Sequence, residues 1–198
     1  MNTLDPAGPF VLDTRPLGRR AGAMTTVRRT ESAPSGWAVS SCGVDPGSPV
    51  ELDLRLESVV EGVLVSGTAL VHTIGECSRC LDPVSGPLRV NVQQLFEYPD
   101  AAPGPEADED PLPRLEGELL DLEPTLRDAV VLDLPLVPLC TPQCPGLCQV
   151  CGARLADDPG HHHDRTDERW AALQEWLAAA KDFPVPTAGG TETAEKGN

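Results

Sequence analysis

Apolar and polar residues alternate most regularly at Val50, Leu52, Leu54 and Leu56, with Glu51, Asp53, Arg55 and Glu57 between them. A period of two places one set on a buried face and the other in water, so this stretch is predicted to be a half-buried β-strand. A second run, residues 59–74, is rich in Val, Thr and small residues and is broken by Gly62 and Gly67. A third run, Leu88-Arg89-Val90-Asn91-Val92, alternates again and leads into Leu95 and Phe96. Shorter strands are predicted around Phe10-Val11-Leu12 and Trp37-Ala38-Val39. The second half reads differently. Leu119-Leu120-Asp121-Leu122 predicts a short extended segment. Pro124 suits the first turn of a helix, where its missing N–H costs nothing. Leu126, Ala129, Val130 and Leu134 follow at helical spacing until Pro135. A last helix is predicted over about 166–180, with Trp170, Leu173, Leu177 and Ala180 on one apolar face that Trp176 widens. The fold class expected is α+β: an antiparallel β-rich N-terminal half, then a helical and Cys/His-rich part.

These runs sit in one expected domain, residues 10–183, between a flexible N-terminus (1–9) and a disordered tail (184–198). Within it a β-rich part spans 10–98 and a helical, Cys/His-rich part spans 115–183. Residues 99–114, PDAAPGPEADEDPLPR, are Pro-rich and acidic. They offer too little apolar surface to offset the entropy of ordering, so a solvated linker is expected.

Composition changes this picture in one respect. Aromatic residues are 4% of the 198, and glycine and proline number 18 and 21. A core so poor in large side chains gains from cross-links. Seven cysteines are available for them. The chain shows no signal-peptide pattern and no bilayer-length apolar run, so a reducing cytoplasm is expected, and no membrane partner. Clustered cysteines there are more often metal ligands or redox groups than structural disulfides, and the odd count argues against a closed disulfide set.

Six of the seven cysteines fall in close sets: Cys77-x2-Cys80, and Cys140-x3-Cys144-x3-Cys148-x2-Cys151, with His161-His162-His163 ten residues on. Zinc takes four tetrahedral N or S ligands, and short C-x2-C turns aim two thiolates at one ion. Two structural zinc ions are expected. In one pairing Cys77, Cys80, Cys140 and Cys144 hold the first, and Cys148, Cys151, His161 and His163 the second. A second pairing joins the C-x2-C turns 77/80 and 148/151. A third makes a single four-cysteine site within 140–151. Cys42, alone in a strand-like stretch, reads as a small buried hydrophobe. His72 reads as a half-exposed strand residue, and His162 as a neighbour of the ligands. A redox C-x2-C needs its first cysteine at a helix N-terminus in a βαβ setting, whereas Cys77 lies between two β runs.

The formal net charge is −16, which opposes non-specific binding to nucleic acid. The charge is uneven, however. Residues 1–30 carry Arg15, Arg19, Arg20, Arg28 and Arg29 against Asp5 and Asp13, while residues 100–133 carry eleven acids against Arg114 and Arg127. The five N-terminal arginines are the candidate contacts for RNA or a partner, beside the equal reading that they are ordinary surface residues. No phosphate-cradling loop and no Ser/His/Asp arrangement is present. With both metal sites filled by Cys and His, no open coordination position remains for catalysis. A non-enzymatic protein is expected, with no small-molecule substrate; the alternative is a zinc- or thiol-dependent enzyme.

Taken in order, several of these motifs resemble the YceD family. They are Glu76-Cys77-Ser78-Arg79-Cys80-Leu81, Leu119-Leu120-Asp121-Leu122-Glu123-Pro124, Asp133-Leu134-Pro135-Leu136, Cys140-x3-Cys144, and Gly146-Leu147-Cys148-Gln149-Val150-Cys151-Gly152. The opening Val11-Leu12-Asp13 and Leu17-Gly18-Arg19-Arg20-Ala21-Gly22, and the closing Asp167-Glu168-Arg169-Trp170-Ala171-Ala172-Leu173, are similar too. The likeness covers roughly residues 10–178. His161-x-His163 resembles the actinobacterial form of a motif that is Cys-x-Cys elsewhere. Glu168 stands where the family usually has proline. The resemblance implies a role in the synthesis, processing or stability of 23S ribosomal RNA, with ribosomal RNA, a large-subunit ribosomal protein or a processing factor as partner. Other branches keep the first cysteine pair without the Gly-Leu-Cys-x2-Cys-Gly turn. This implies a shared first site of Cys77, Cys80, Cys140 and Cys144.

Overall fold

The alternating residues of the first run build the strand around which the molecule is organised. In the computed structural model it is one of seven strands among the described residues. They are β1 (Val11–Asp13), β2 (Met24–Ser32), β3 (Cys42–Val44), β4 (Pro49–Ser58), β5 (Gly62–Glu76), β6 (Pro83–Glu97) and β7 (Leu119–Asp121), followed by one helix, α1 (Glu123–Asp133). The structure describes residues 4–101, 112–163, 168–170, 173 and 176. The chain divides into two compact units, Met1–Asp157 and Asp158–Asn198. Both sheets and α1 belong to the first.

β4 buries Val50, Leu52, Leu54 and Leu56 on one face. It pairs antiparallel with β2 on one side and β5 on the other. β5 and β6 form a long hairpin, in register from Gly62↔Glu97 to Glu76↔Pro83. β3 continues the β4 edge of β5, pairing Cys42 with Gly75. The sheet order is β2-β4-β5-β3, with β6 on the far side of β5. Val63, Val65, Ala69 and Val71 of β5 and Val90, Val92 and Phe96 of β6 share the buried face with the β4 residues. Gly67 lets β5 pass close to β4: its φ is +151°, and a Cβ there would lie 2.2 Å from the Asp53 carbonyl oxygen.

A second layer covers this face. β1 and β7 pair as a two-stranded antiparallel sheet that contributes Leu12 and Leu120 to the core. α1 follows at once, with Pro124 in its first turn and Leu126 and Val130 buried, and it packs on β6. The helix stops at Leu134, which is extended, as the following Pro135 requires. Trp37 fills the gap between the layers. It is fully buried, 5.5 Å from the Phe10 ring, and its Nε1 donates to Glu123 Oε1 at 3.0 Å.

Several expectations need amending. The fold is mostly β with a single described α-helix, so α+β holds only loosely. Trp37-Ala38-Val39 is not a strand; it makes one isolated bridge, Ala38↔Gly43, because Trp37 is held by burial and its bond to α1. The true strand there is β3, with Cys42 buried in it. β2 was not foreseen. Of the expected linker, residues 99–101 and 112–114 are described, the Ala101 N–H donating to the Tyr98 carbonyl and Arg114 bridging Glu97 of β6; residues 102–111 lie outside the described set. So do most of the expected last helix and all of the expected 184–198 tail. Only a 3-10 turn at Glu168–Trp170 and helical backbone at Leu173 and Trp176 are described. Among the described residues no helix is long and apolar enough to cross a membrane.

Candidate metal centres

The β5–β6 hairpin carries the first cysteine pair on its six-residue connection, residues 77–82. The Cys77 N–H donates to the Asp82 carbonyl at 2.7 Å and the Leu81 N–H to the Cys77 carbonyl at 2.9 Å. Leu81 takes a left-handed φ of +63° to close the turn. The chain leaving α1 comes back to this tip. The Ser78 N–H donates to the Pro138 carbonyl at 2.8 Å, which brings Cys140 and Cys144 alongside. The ligand atoms of Cys77, Cys80, Cys140 and Cys144 all lie within 4.8 Å of one another. Cys77 Sγ is 3.8 Å from Cys144 Sγ, and Cys80 Sγ is 3.6 Å from Cys140 Sγ. A tetrahedron with Zn–S bonds of ~2.3 Å has edges of about 3.8 Å, so these spacings fit one ion on four sulfurs. Of the three pairings left open by spacing, the first four-sulfur set is the one the fold assembles.

The thiols are electrostatically unequal. The backbone N–H of Cys140, with those of Arg79 and Cys80, favours the Cys77 thiolate and brings its pKa down to about 6. At Cys80 the Asp82 N–H pulls down, but burial and the thiols of Cys77, Cys140 and Cys144 outweigh it and push the pKa up. Burial also raises Cys144. Four thiolates so close would repel one another, and a divalent cation among them would let all four ionise. Cys77 and Cys144 are buried, Cys80 is half-buried and Cys140 exposed. Of the four thiols, Cys140 is the most open to solvent.

Cys148 and Cys151, also in the first unit, stand on a second tight turn. The Cys148 N–H donates to the Ala153 carbonyl and the Gly152 N–H to the Cys148 carbonyl, both at 2.8 Å, and Leu147 bridges Arg154. Gly146 and Gly152 supply the positive φ that such a turn needs, +80° and +73°. In the second unit, His161 and His163 turn their Nε2 atoms to within 2.9 Å of each other. Two imidazole nitrogens so placed are suited to one soft or borderline cation. His162 points elsewhere and contacts the Gly160 carbonyl at 3.0 Å.

Sequence reading missed the residues that hold the two turns of the first unit together. Arg79 Nη1 donates to the Cys144 carbonyl at 2.9 Å, and the Arg79 carbonyl accepts from the Leu147 N–H at 3.1 Å. Arg154 forks onto both carboxylate oxygens of Asp82, which holds Asp82 below the usual carboxylate range and Arg154 above its own. Arg79 was visible inside the C-x2-C motif. Nothing in the sequence links positions 82 and 154.

The five N-terminal arginines do not form one patch. Arg28 and Arg29 are neighbours on β2 and therefore face opposite ways. Arg28 pairs with Asp53 at 3.1 Å and Arg29 with Glu31 at 3.0 Å. Arg15 is held by Asp13 at 2.5 Å. Arg19 reaches Asp100 and Glu118 and lies 4.6 Å over the Tyr98 ring. Arg20 sits exposed in the loop before β2.

Comparison with known proteins places these features in a lineage. Residues 65–176 match the family model described as large ribosomal RNA subunit accumulation protein YceD. Proteins of Mycobacterium bovis and Mycobacterium tuberculosis, each named only as uncharacterized, are 47% identical over 176 residues, which is 89% of this chain and 85% of theirs. A maize protein named large ribosomal RNA subunit accumulation protein YCED homolog 1, chloroplastic, is 24% identical over 70% of this chain and 57% of its own length. No solved structure matches. The matched region runs from near the start of β5 through both cysteine turns, and the chain belongs to the YceD family of large ribosomal RNA subunit accumulation proteins.

Proposed function

We propose that this protein is a non-enzymatic factor in the synthesis, processing or stability of 23S ribosomal RNA, working in the cytoplasm, with zinc as a structural staple. The observation that carries the reading is the four-sulfur cluster in a chain of this family: its sulfur spacings suit one tetrahedral ion with no ligand position to spare. Cys77, Cys80, Cys140 and Cys144 would hold one zinc. From their spacing in the sequence, Cys148, Cys151, His161 and His163 would hold another. A coordination sphere filled by the protein stabilises a fold and activates no water. Ribosomal RNA, a large-subunit ribosomal protein or a processing factor is the proposed partner, reached through Arg15, Arg19, Arg20, Arg28 and Arg29. Four of these already have carboxylate partners, so RNA phosphates would compete for them.

Deletion of the gene tests this. The expected result is a fall in mature large-subunit RNA relative to small-subunit RNA, restored by the wild-type gene but not by a Cys77→Ser/Cys80→Ser version. An unchanged ratio of the two RNAs and normal subunit profiles in the deletion strain would overturn it.

A further inference from the structure

The two cysteine turns of the first unit are joined through residues that ligate nothing. Arg79 lies between Cys77 and Cys80 and bonds in two directions, its guanidinium to the Cys144 carbonyl and its own carbonyl to the Leu147 N–H. The backbone at Gly146 passes so close that a Cβ there would sit 3.1 Å from the Arg79 carbonyl oxygen. Asp82, whose carbonyl accepts from Cys77, takes both prongs of Arg154. Arg154 is itself the bridge partner of Leu147, at the base of the Cys148/Cys151 turn. An Arg–carboxylate fork fixes orientation as well as distance. The turn at 146–153 is therefore keyed to the turn at 77–82 at both of its ends.

We infer that Arg154–Asp82 and Arg79 couple the two cysteine turns energetically, so that metal on the four-sulfur cluster raises the metal affinity of the Cys148/Cys151 turn, and the reverse. This rests on the metal reading above. An ion on Cys77, Cys80, Cys140 and Cys144 freezes residues 77–82 and 140–144. Those residues position Arg79 and Asp82, which then hold residues 146–153 in their folded form. The second pair of thiols meets its ion with part of the ordering entropy already spent. A divalent ion on four thiolates also leaves two negative charges, which the guanidinium groups of Arg79 and Arg154 offset. Coupling of binding free energies is reciprocal by linkage, so loading of the second turn strengthens the first by the same factor.

The test is a cobalt(II) titration of the full, reduced, metal-stripped chain, with a chelator as competitor. Cobalt bands distinguish four-sulfur from mixed sulfur–nitrogen coordination, so each site is followed separately. The wild type is expected to take two equivalents. Arg154→Gln and Asp82→Asn should each still take two, with unchanged band shapes and far-ultraviolet dichroism, but with affinity at the mixed site lowered about 10- to 100-fold. The charge-reversed pair Asp82→Arg/Arg154→Asp should recover most of that loss. Cys148→Ser/Cys151→Ser should weaken the cluster by the same factor. Affinities within twofold of wild type in Arg154→Gln and Asp82→Asn would show that the turns load independently and overturn the inference. A wild type without cobalt–thiolate bands would overturn the metal reading and this inference with it.

Discussion

The hairpin β5–β6 is held in two unlike ways at its two ends. Near Gly62 and Glu97 it lies in apolar packing: Val63, Val65 and Phe96 are 0–1% exposed, and the buried Tyr98 hydroxyl shares a 2.9 Å hydrogen bond with Ser58 Oγ. At the far end, residues 77–82 have no such cover. Leu81 there is 61% exposed and Val150 on the neighbouring turn 50%, and the contacts are sulfurs, backbone hydrogen bonds and ion pairs. One end is ordered by removing hydrocarbon from water. The other brings together groups that repel or are indifferent until a cation joins them. The sheet core is mostly Leu and Val, whereas the tip gathers four thiols that could hold a metal ion in place of a second core.

Metal removal should expose this contrast most strongly. Structural zinc sites contribute on the order of 10 kcal/mol of apparent folding energy. Chelation, or acid that protonates the thiolates, should release hydrogen-exchange protection in 77–82 and 138–155 while β4 and the lower half of β5 stay protected. Loss of protection throughout both regions at once would mean that the ends are not separable. Leu54→Ala should do the opposite. At 1% exposure in the middle of the sheet, it is expected to cost about 2–5 kcal/mol, seen as a lower denaturation midpoint, while metal stoichiometry stays unchanged below the transition. Tyr98→Phe is the smallest perturbation. It removes one buried hydrogen bond and should cost about 1–3 kcal/mol, because Ser58 Oγ is left unpaired. Tyr98→Phe with Ser58→Ala should recover part of that loss, with no effect on metal affinity.

Legibility followed the strength of the apolar signal. β4 was readable because four apolar residues alternate without exception. β2 was hidden because its inward row is Thr25, Val27, Arg29 and Glu31, where only Val27 is apolar and an ion pair occupies the half-buried positions. Trp37 belonged to a β-rich triplet, yet the partner that mattered was Glu123, 86 positions away. The candidate site was legible as a set of ligand types. Their spacing left three pairings open, since contact between residues 77–80 and 140–144 depends on where α1 returns the chain.

By itself, then, the sequence determined the strands with clean period-two patterns, the limits of α1 between Pro124 and Pro135, and the presence of two thiol-rich turns. Each of these depends on residues a few positions apart. The tertiary structure alone decided which sulfurs meet and that Asp82 finds Arg154. Such pairings are fixed by the packing of the helix layer on the sheet, through loop closures of 60 to 72 residues that no local pattern encodes.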